Sequence, residues 1–361
     1  MKIHWFFKVV GIFTSIFLIW LLFYFSIPRI LPVQTVNSGE VYGLLFSNQI
    51  WSGDIKIVGD IYSLTNNKVT ILPGTKISVA IDGDKSNLDL LPWHKKSGIN
   101  TGSFYKGVKQ GEPFWDETRK IQIHLNEVNI NGDYINPVEF TSLSDSPSPY
   151  DFNVLSIKSG KITNASFSSY RRFEVKGNLE IKNSSFNNTG ECALCIKSAS
   201  PKIIDNTFEN SLRESIWIEK GSPEIADNMF RNLTGTGISI DSKRISAPQI
   251  TNNVFEMPQR DAIDIVSGGL VNETLIARNI FAGNSIIRIA CDSKVKIRDN
   301  IILGLVSFSN GCTGGFTFGP NYWGTPDPRI VMSEKILNKY QKFKINIPNV
   351  LFMAPKEAGR K

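Results

Sequence analysis

The chain has 361 residues, 41% hydrophobic and 20% charged, enough for two average domains or one continuous solenoid with a sizeable core. Its net charge of +7 is confined to the ends: residues 1–29 contribute +3 and residues 329–361 contribute +6, which leaves the body, 30–328, at −2. A near-neutral body lacks the concentrated positive surface of nucleic-acid binders, so no nucleic-acid partner is expected. Abundant Asn, Ser, Gly and Ile, without long Ala/Glu/Leu/Lys runs, leans towards β-structure with many tight turns.

In chain order, the first element is an apolar run. Val9 to Ile27 holds 19 residues without a charge, which as a helix spans roughly 30 Å of hydrocarbon. Lys2 and Lys8 precede it and only Arg29 follows closely, so the positive-inside bias keeps the N-terminus in the cytoplasm. A cleaved signal peptide is the competing reading, but its apolar core is usually shorter and ends in small residues. Here Leu-Leu-Phe-Tyr-Phe leads into Ser26. The expectation is an uncleaved single-pass anchor, with the membrane as a partner through residues 9–27 and the rest of the chain extracytoplasmic.

Residues 30–49 read as a linker and N-terminal cap, with Val41–Gln49 shielding the first coil, and 50–328 as the folded body. Inside that body, 82–120 carries no repeat pattern over 39 residues. It is rich in aromatics, among them Trp93, Tyr105 and Trp115, and in lysines. Segments of this length tend to be functional or disordered, and so many large rings argue against disorder. Packing on the flank of the body is the plainer reading; stacking of Trp93, Tyr105 and Trp115 on sugar rings is the second. Asp82-Gly-Asp84-Lys-Ser86 faintly resembles a Ca2+ loop but lacks the terminal glutamate, so a charged surface loop is preferred. No other cofactor and no metal site is suggested.

From residue 160 the chain repeats itself. LEIKNSSF (179–186), PKIIDNTF (201–208), PEIADNMF (223–230), PQITNNVF (248–255), TLIARNIF (274–281) and VKIRDNII (295–302) align without gaps, after a weaker copy at 160–167. Ile162, Ile181, Ile203, Ile225, Ile250, Ile276 and Ile297 form one column, and five residues after each comes a Phe or, last, Ile302. Asn206, Asn228, Asn253, Asn279 and Asn300 form another, expected to sit in a left-handed turn and hydrogen-bond along the stack. Each unit ends in a pair such as Ile216/Ile218 or Ile263/Ile265 with one residue between, the period of a strand. Short strands recurring every 19 to 26 residues cannot bury a face alone; stacked at about 4.8 Å per coil they share one core.

This pattern resembles the right-handed parallel β-helix repeat proteins of the pectate-lyase-like superfamily, over roughly residues 50–355. Val69–Ile77 resembles the opening coil of such proteins, Asn136–Ser142 the next strand, and Gly319–Pro328 the last coil, with Phe318, Asn321 and Trp323 continuing the columns. The resemblance implies an all-β, right-handed parallel β-helix (a solenoid), here with an N-terminal transmembrane helix. Residues 329–361 form a C-terminal cap and basic tail, with a short helix at Val331–Tyr340 and a strand at Ile345–Met353. The resemblance fixes no activity, because the family mixes enzymes with binding and scaffold proteins.

Chemistry is expected on the outward column Ser156, Glu174, Cys195, Trp217, Ser239, Asp264, Arg288 and Ser307 and on the residues two further along, including Lys197, Glu219 and Asp241. Glu219, Asp241, Asp264 and Arg288 are the candidate catalytic set, since carboxylates on neighbouring coils shift one another's pKa. A plainly solvated face is the blander reading. His4, His94 and His124 lie off the repeat strands, and neither the Gly-His-Gly signature of polygalacturonase-type relatives nor a lyase arrangement of acids with a basic catalyst is present. A cell-surface β-helix that binds a polysaccharide or cell-envelope glycan, through 82–120 or the outward strand around Trp217, or that serves as a scaffold, is therefore placed ahead of catalysis, with a polysaccharide lyase or glycoside hydrolase as the alternative. Cys291 and Cys312 lie about one coil apart and are a disulfide candidate; Cys192 and Cys195 can bridge only if the chain turns between them.

Overall fold

The computed structural model describes residues 11, 14–19, 31–64, 66–81, 84–86, 120–241, 246–257, 259–266, 273–290, 293–309, 312, 314–337, 343–356 and 358–359. From residue 31 onward these form a parallel β-helix in which one 28-stranded ladder winds through the body, each strand pairing with its equivalent one coil away. The isoleucine column is in register from Ile130 through Ile162, Ile181, Ile203, Ile225, Ile250 and Ile276 to Ile297, every side chain at 0% exposure. It also runs back through Ile71 to Trp51, two coils the repeats do not announce.

The phenylalanines pile up one per coil. From Phe140 to Phe281 the ring centroids are 4.7–5.3 Å apart, with neighbouring planes within 20° of parallel. Ile55 and Ile77 begin this column, and Ile302 and Trp323 lie beyond its last ring. Identical residues meet because parallel coils place the same repeat position above itself.

Between these two columns runs the asparagine ladder. Asn228 Nδ2 donates to the Ile203 and Ala226 carbonyls and to Asn253 Oδ1, at 2.8–2.9 Å, while its own Oδ1 accepts from Asn206. The pattern repeats down to Asn321. The left-handed residue of this turn is not the ladder Asn, as the sequence suggested, but the one before it: Asn183, Asp205, Asp227, Asn252, Arg278 and Asp299 have φ of 49–58°. The preceding residue turns the chain, and the Asn saturates the buried backbone it exposes.

Gln34–Leu45 pairs in parallel with Gln49–Ser63 and lays Val41 and Leu45 on the first coil. At the other end, the expected helix begins earlier and is shorter: a helical turn at Pro328–Ile330, capped by Asp327, continues as Val331–Lys335. Ile336–Leu337 then extends the ladder, and the expected strand at Ile345–Met353 is instead Phe343–Asn346, paired with Gly314–Thr317. Among the described residues no helix is long and apolar enough to cross a membrane. The expected anchor lies largely outside them, since only Gly11 and Thr14–Ile19 of residues 9–27 are described.

Candidate functional site

The third strand of each coil carries Leu155, Phe173, Leu194, Ile216, Ile238, Ile263, Ile287 and Val306 into the core. Alternation therefore sends the next residue outward, and the register makes Ser156, Glu174, Cys195, Trp217, Ser239, Asp264, Arg288 and Ser307 one column. The column is not evenly solvated. Ser156, Glu174, Cys195 and Ser239 are 1–5% exposed, whereas Trp217 and Asp264 are half-buried and Arg288 is exposed.

Three coils depart from simple alternation. Cys192 stands opposite Arg172 and Cys195 opposite Glu174, so three residues match two across a β-bulge. The bulge brings the two Cα atoms to 5.6 Å and allows the Cys192–Cys195 disulfide. Ala193, fully buried, is the extra residue. The same three-residue step recurs at Glu214–Trp217 and at Asp261–Asp264, with Ser215 and Ala262 fully buried inside it. Glu214 and Asp261 thus join the outward face, although counting by twos from Ile216 and Ile263 sends them inward. Neither is singled out by the sequence pattern; the one signal for them is a small residue wedged between an acid or cysteine and the core aliphatic.

The bulged strands assemble an acidic site at the open end of the face. Arg288 Nη2 donates to both oxygens of Asp261, at 3.1 and 3.0 Å, and its Nε lies 3.8 Å from Asp264 Oδ1. That hydrogen bond to Asp261 raises the Arg288 pKa. Asp264 is pushed up by burial and by the Asp261 and Glu214 carboxylates, against the pull of Arg288, and its Oδ1 is buried without a hydrogen-bond partner. Glu214 is raised by burial and by Glu191, against Arg213. Two carboxyls biased towards the protonated form therefore stand near an Asp261–Arg288 ion pair, on the face that also carries the half-buried Trp217 indole.

The closed end of the face is different. Burial alone raises the Glu174 pKa, but Arg172, Lys176 and Lys197 overcome it and hold the carboxyl down at about 2. Lys197 and Lys176 reach its two oxygens at 2.9 and 3.0 Å, and Arg172 Nε lies at 3.2 Å. This is a buried ion network that orders the strand rather than an open site.

Of the residues singled out from sequence, Asp264 and Arg288 are brought together, with Trp217 two coils before Asp264 in the same column. Glu219 and Asp241 lie further along, at the ends of their strands, and Lys197 faces Lys220 instead of Glu219 because the register shifts after Ile196. Trp93, Tyr105 and Trp115 lie outside the described residues, as does Cys291; Cys312 is disulfide-bonded. Asp84 Oδ1 accepts from the backbone of Asp60 and Ser86. Among the described residues no group of three or more His, Cys, Asp or Glu is placed to hold a metal ion.

Residues 144–286 match the family model described as the right-handed β-helix region. With the continuous parallel ladder on either side, the chain is a right-handed parallel β-helix repeat protein. No curated protein and no solved structure matches it.

Proposed function

We propose that the protein is a cell-surface β-helix, anchored through residues 9–27, whose outward face binds a glycan around Trp217. The observation that carries this reading is a half-buried indole on the same face as Glu214, Asp261, Asp264 and Arg288. An apolar ring beside a few convergent polar groups is the usual composition of a small-molecule or sugar site. The extracytoplasmic placement is supported by the charge-free run at 9–27 and by disulfide-bonded cysteines, which persist outside reducing compartments. A scaffold without a sugar ligand remains the competing use of the same surface. In a glycan-array measurement the full chain is expected to bind at least one glycan whose affinity falls at least tenfold in Trp217→Ala; equal binding of every glycan by the variant sinks the reading.

A second reading, a glycoside hydrolase or polysaccharide lyase, is favoured by one observation: Asp264 and Glu214 both have raised pKa values beside the Asp261–Arg288 pair. A protonated carboxyl near an ionised one is what acid catalysis of glycoside cleavage needs. Release of reducing ends or unsaturated products by the wild type, lost in Asp264→Asn, supports it; identical release by Asp264→Asn rejects it.

A further inference from the structure

A second groove runs along the asparagine turn, away from the Trp217 column. Its floor is a hydroxyl row, Ser166, Ser185 and Thr207, held in register by the ladder of the phenylalanine strands. Its edge is the left-handed row Asn164, Asn183 and Asp205. One wall is the loop 133–137. There Asp133 accepts the backbone N–H groups of Ile135 and Asn136, at 2.9 and 2.6 Å, and Asn164 Nδ2 donates to Gly132 O. The loop so held presents Tyr134 at 96% exposure on the rim of a groove of about 580 Å3.

The same row changes character further along the solenoid. After Thr207 it continues as Met229, Val254, Ile280 and Ile301. Over Ile280 and Val254 of that stretch lies the chain's own C-terminal tail: Leu351 N donates to Asn321 O, and Gly359 N donates to Arg278 O. Gly359 is buried so closely against Ile280 that a Cβ would overlap it. One continuous trough is thus apolar where a peptide covers it and hydroxylated where it is open.

We infer that the open, hydroxylated part of this trough is an oligosaccharide site, separate from the Trp217 face, that takes an uncharged sugar chain lying along the solenoid axis. Hydroxyl and amide groups recur there once per coil, about every 4.8 Å, which suits a ligand that itself repeats hydroxyls along a line. The volume lies in the range of ordinary ligand sites, roughly 300–1,000 Å3. The charged groups lining the groove are carboxylates. Asp133 is engaged in its own turn, and Asp205 is 3.8 Å from Lys182, so no surplus cation invites an acidic sugar. A peptide fits poorly, because the apolar row gives way to hydroxyls at Thr207.

Calorimetric titration of the full chain with cellohexaose, maltohexaose and N-acetylchitohexaose tests this. At least one hexasaccharide is expected to bind. Ser185→Leu, which fills the floor, and Tyr134→Ala, which removes the rim, are each expected to weaken it tenfold or more, while Trp217→Ala leaves it unchanged. Tyr134 is so exposed that its removal reports on binding even if Ser185→Leu perturbs folding. Absence of binding by all three sugars overturns the inference. So does binding that survives both groove variants, binding lost only in Trp217→Ala, tighter binding of hexagalacturonate at this groove, or capture of a synthetic 347–361 peptide there in place of sugar.

Discussion

At the scale of single residues, the core is made of columns of identical side chains, and each member is held from above and below. Phe255 stacks on Phe230 and Phe281 at 4.7 and 5.0 Å and is wholly buried. Phe255→Ala therefore leaves a cavity bounded by two rings that the neighbouring strands prevent from collapsing, and is expected to cost about 3–5 kcal/mol. Urea unfolding measures it, and a loss below about 1 kcal/mol means the ring is not packed. Asn253 is a polar counterpart. Its amide satisfies the Ile225 and Thr251 carbonyls and receives the Asn228 N–H. Asn253→Ala strips several buried backbone groups at once, at roughly 1–3 kcal/mol for each group left without a partner. It should destabilise the fold by at least about 3 kcal/mol in the same assay.

At the scale of the strand, the outward face holds two kinds of acid, and pH separates them. Glu174 is held low by Arg172, Lys176 and Lys197, so its contribution is fully present above the ordinary carboxylate range and disappears as pH falls towards about 2. Glu174→Gln leaves three cations around a neutral group, one of them buried. It is expected to lower Tm at pH 7, with a deficit that shrinks steadily from pH 5 to pH 2. A deficit that is independent of pH contradicts the ion network. Asp264 has the opposite sign. Its pKa is raised, so folding disfavours its charged form and the site costs stability once pH exceeds the usual Asp value. Asp264→Asn is expected to raise Tm at pH 7 and to lose that advantage at pH 3. Lower stability at pH 7 would show that Arg288 outweighs the burial.

The strand scale also shows where sequence reading succeeds and where it stops. The Ile, Asn and Phe columns are legible because a parallel coil repeats the same residue at the same place, as Ile203, Ile225 and Ile250 do in adjacent rungs. The outward column from Ser156 to Ser307 follows from the same count. Glu214 and Asp261 escape it because each bulge inserts one residue, and a period of two loses its phase at the insertion. The first coils are legible only through the resemblance of Val69–Ile77 to an opening coil and not through the repeat, for a different reason. Trp51 and Ile71 belong to the isoleucine column by register, but neither preserves the Ile-Asn-Phe spacing. The open groove at Ser166, Ser185 and Thr207 was invisible because hydroxyls at outward positions carry no periodic mark of their own, and only the contrast with the covered apolar stretch gives them meaning.

At the scale of the whole molecule, a solenoid is stabilised by neighbour-to-neighbour interfaces, and its ends need cover because they present unpaired strand edges. The N-terminal edge is taken by Gln34–Leu45, which among the described residues pairs only with Gln49–Ser63. At the other end the cover is divided. Ile336–Leu337 closes the ladder beyond Val306, while the tail folds back over the side of the coils to reach Arg278. These two parts should fail differently. Removing residues 351–361 uncovers Ile280 and Val254 but leaves every rung paired, so the loss should be local: roughly 1–2 kcal/mol from the exposed aliphatic area, a rise in binding of a hydrophobic dye, and unfolding that stays cooperative. Removing residues 329–361 also strips the edge beyond Val306, and a bare edge templates pairing with other chains. That variant should form sedimenting oligomers at concentrations where the shorter truncation stays monomeric. Equal behaviour of the two truncations would mean that the tail, and not Ile336–Leu337, is the cap.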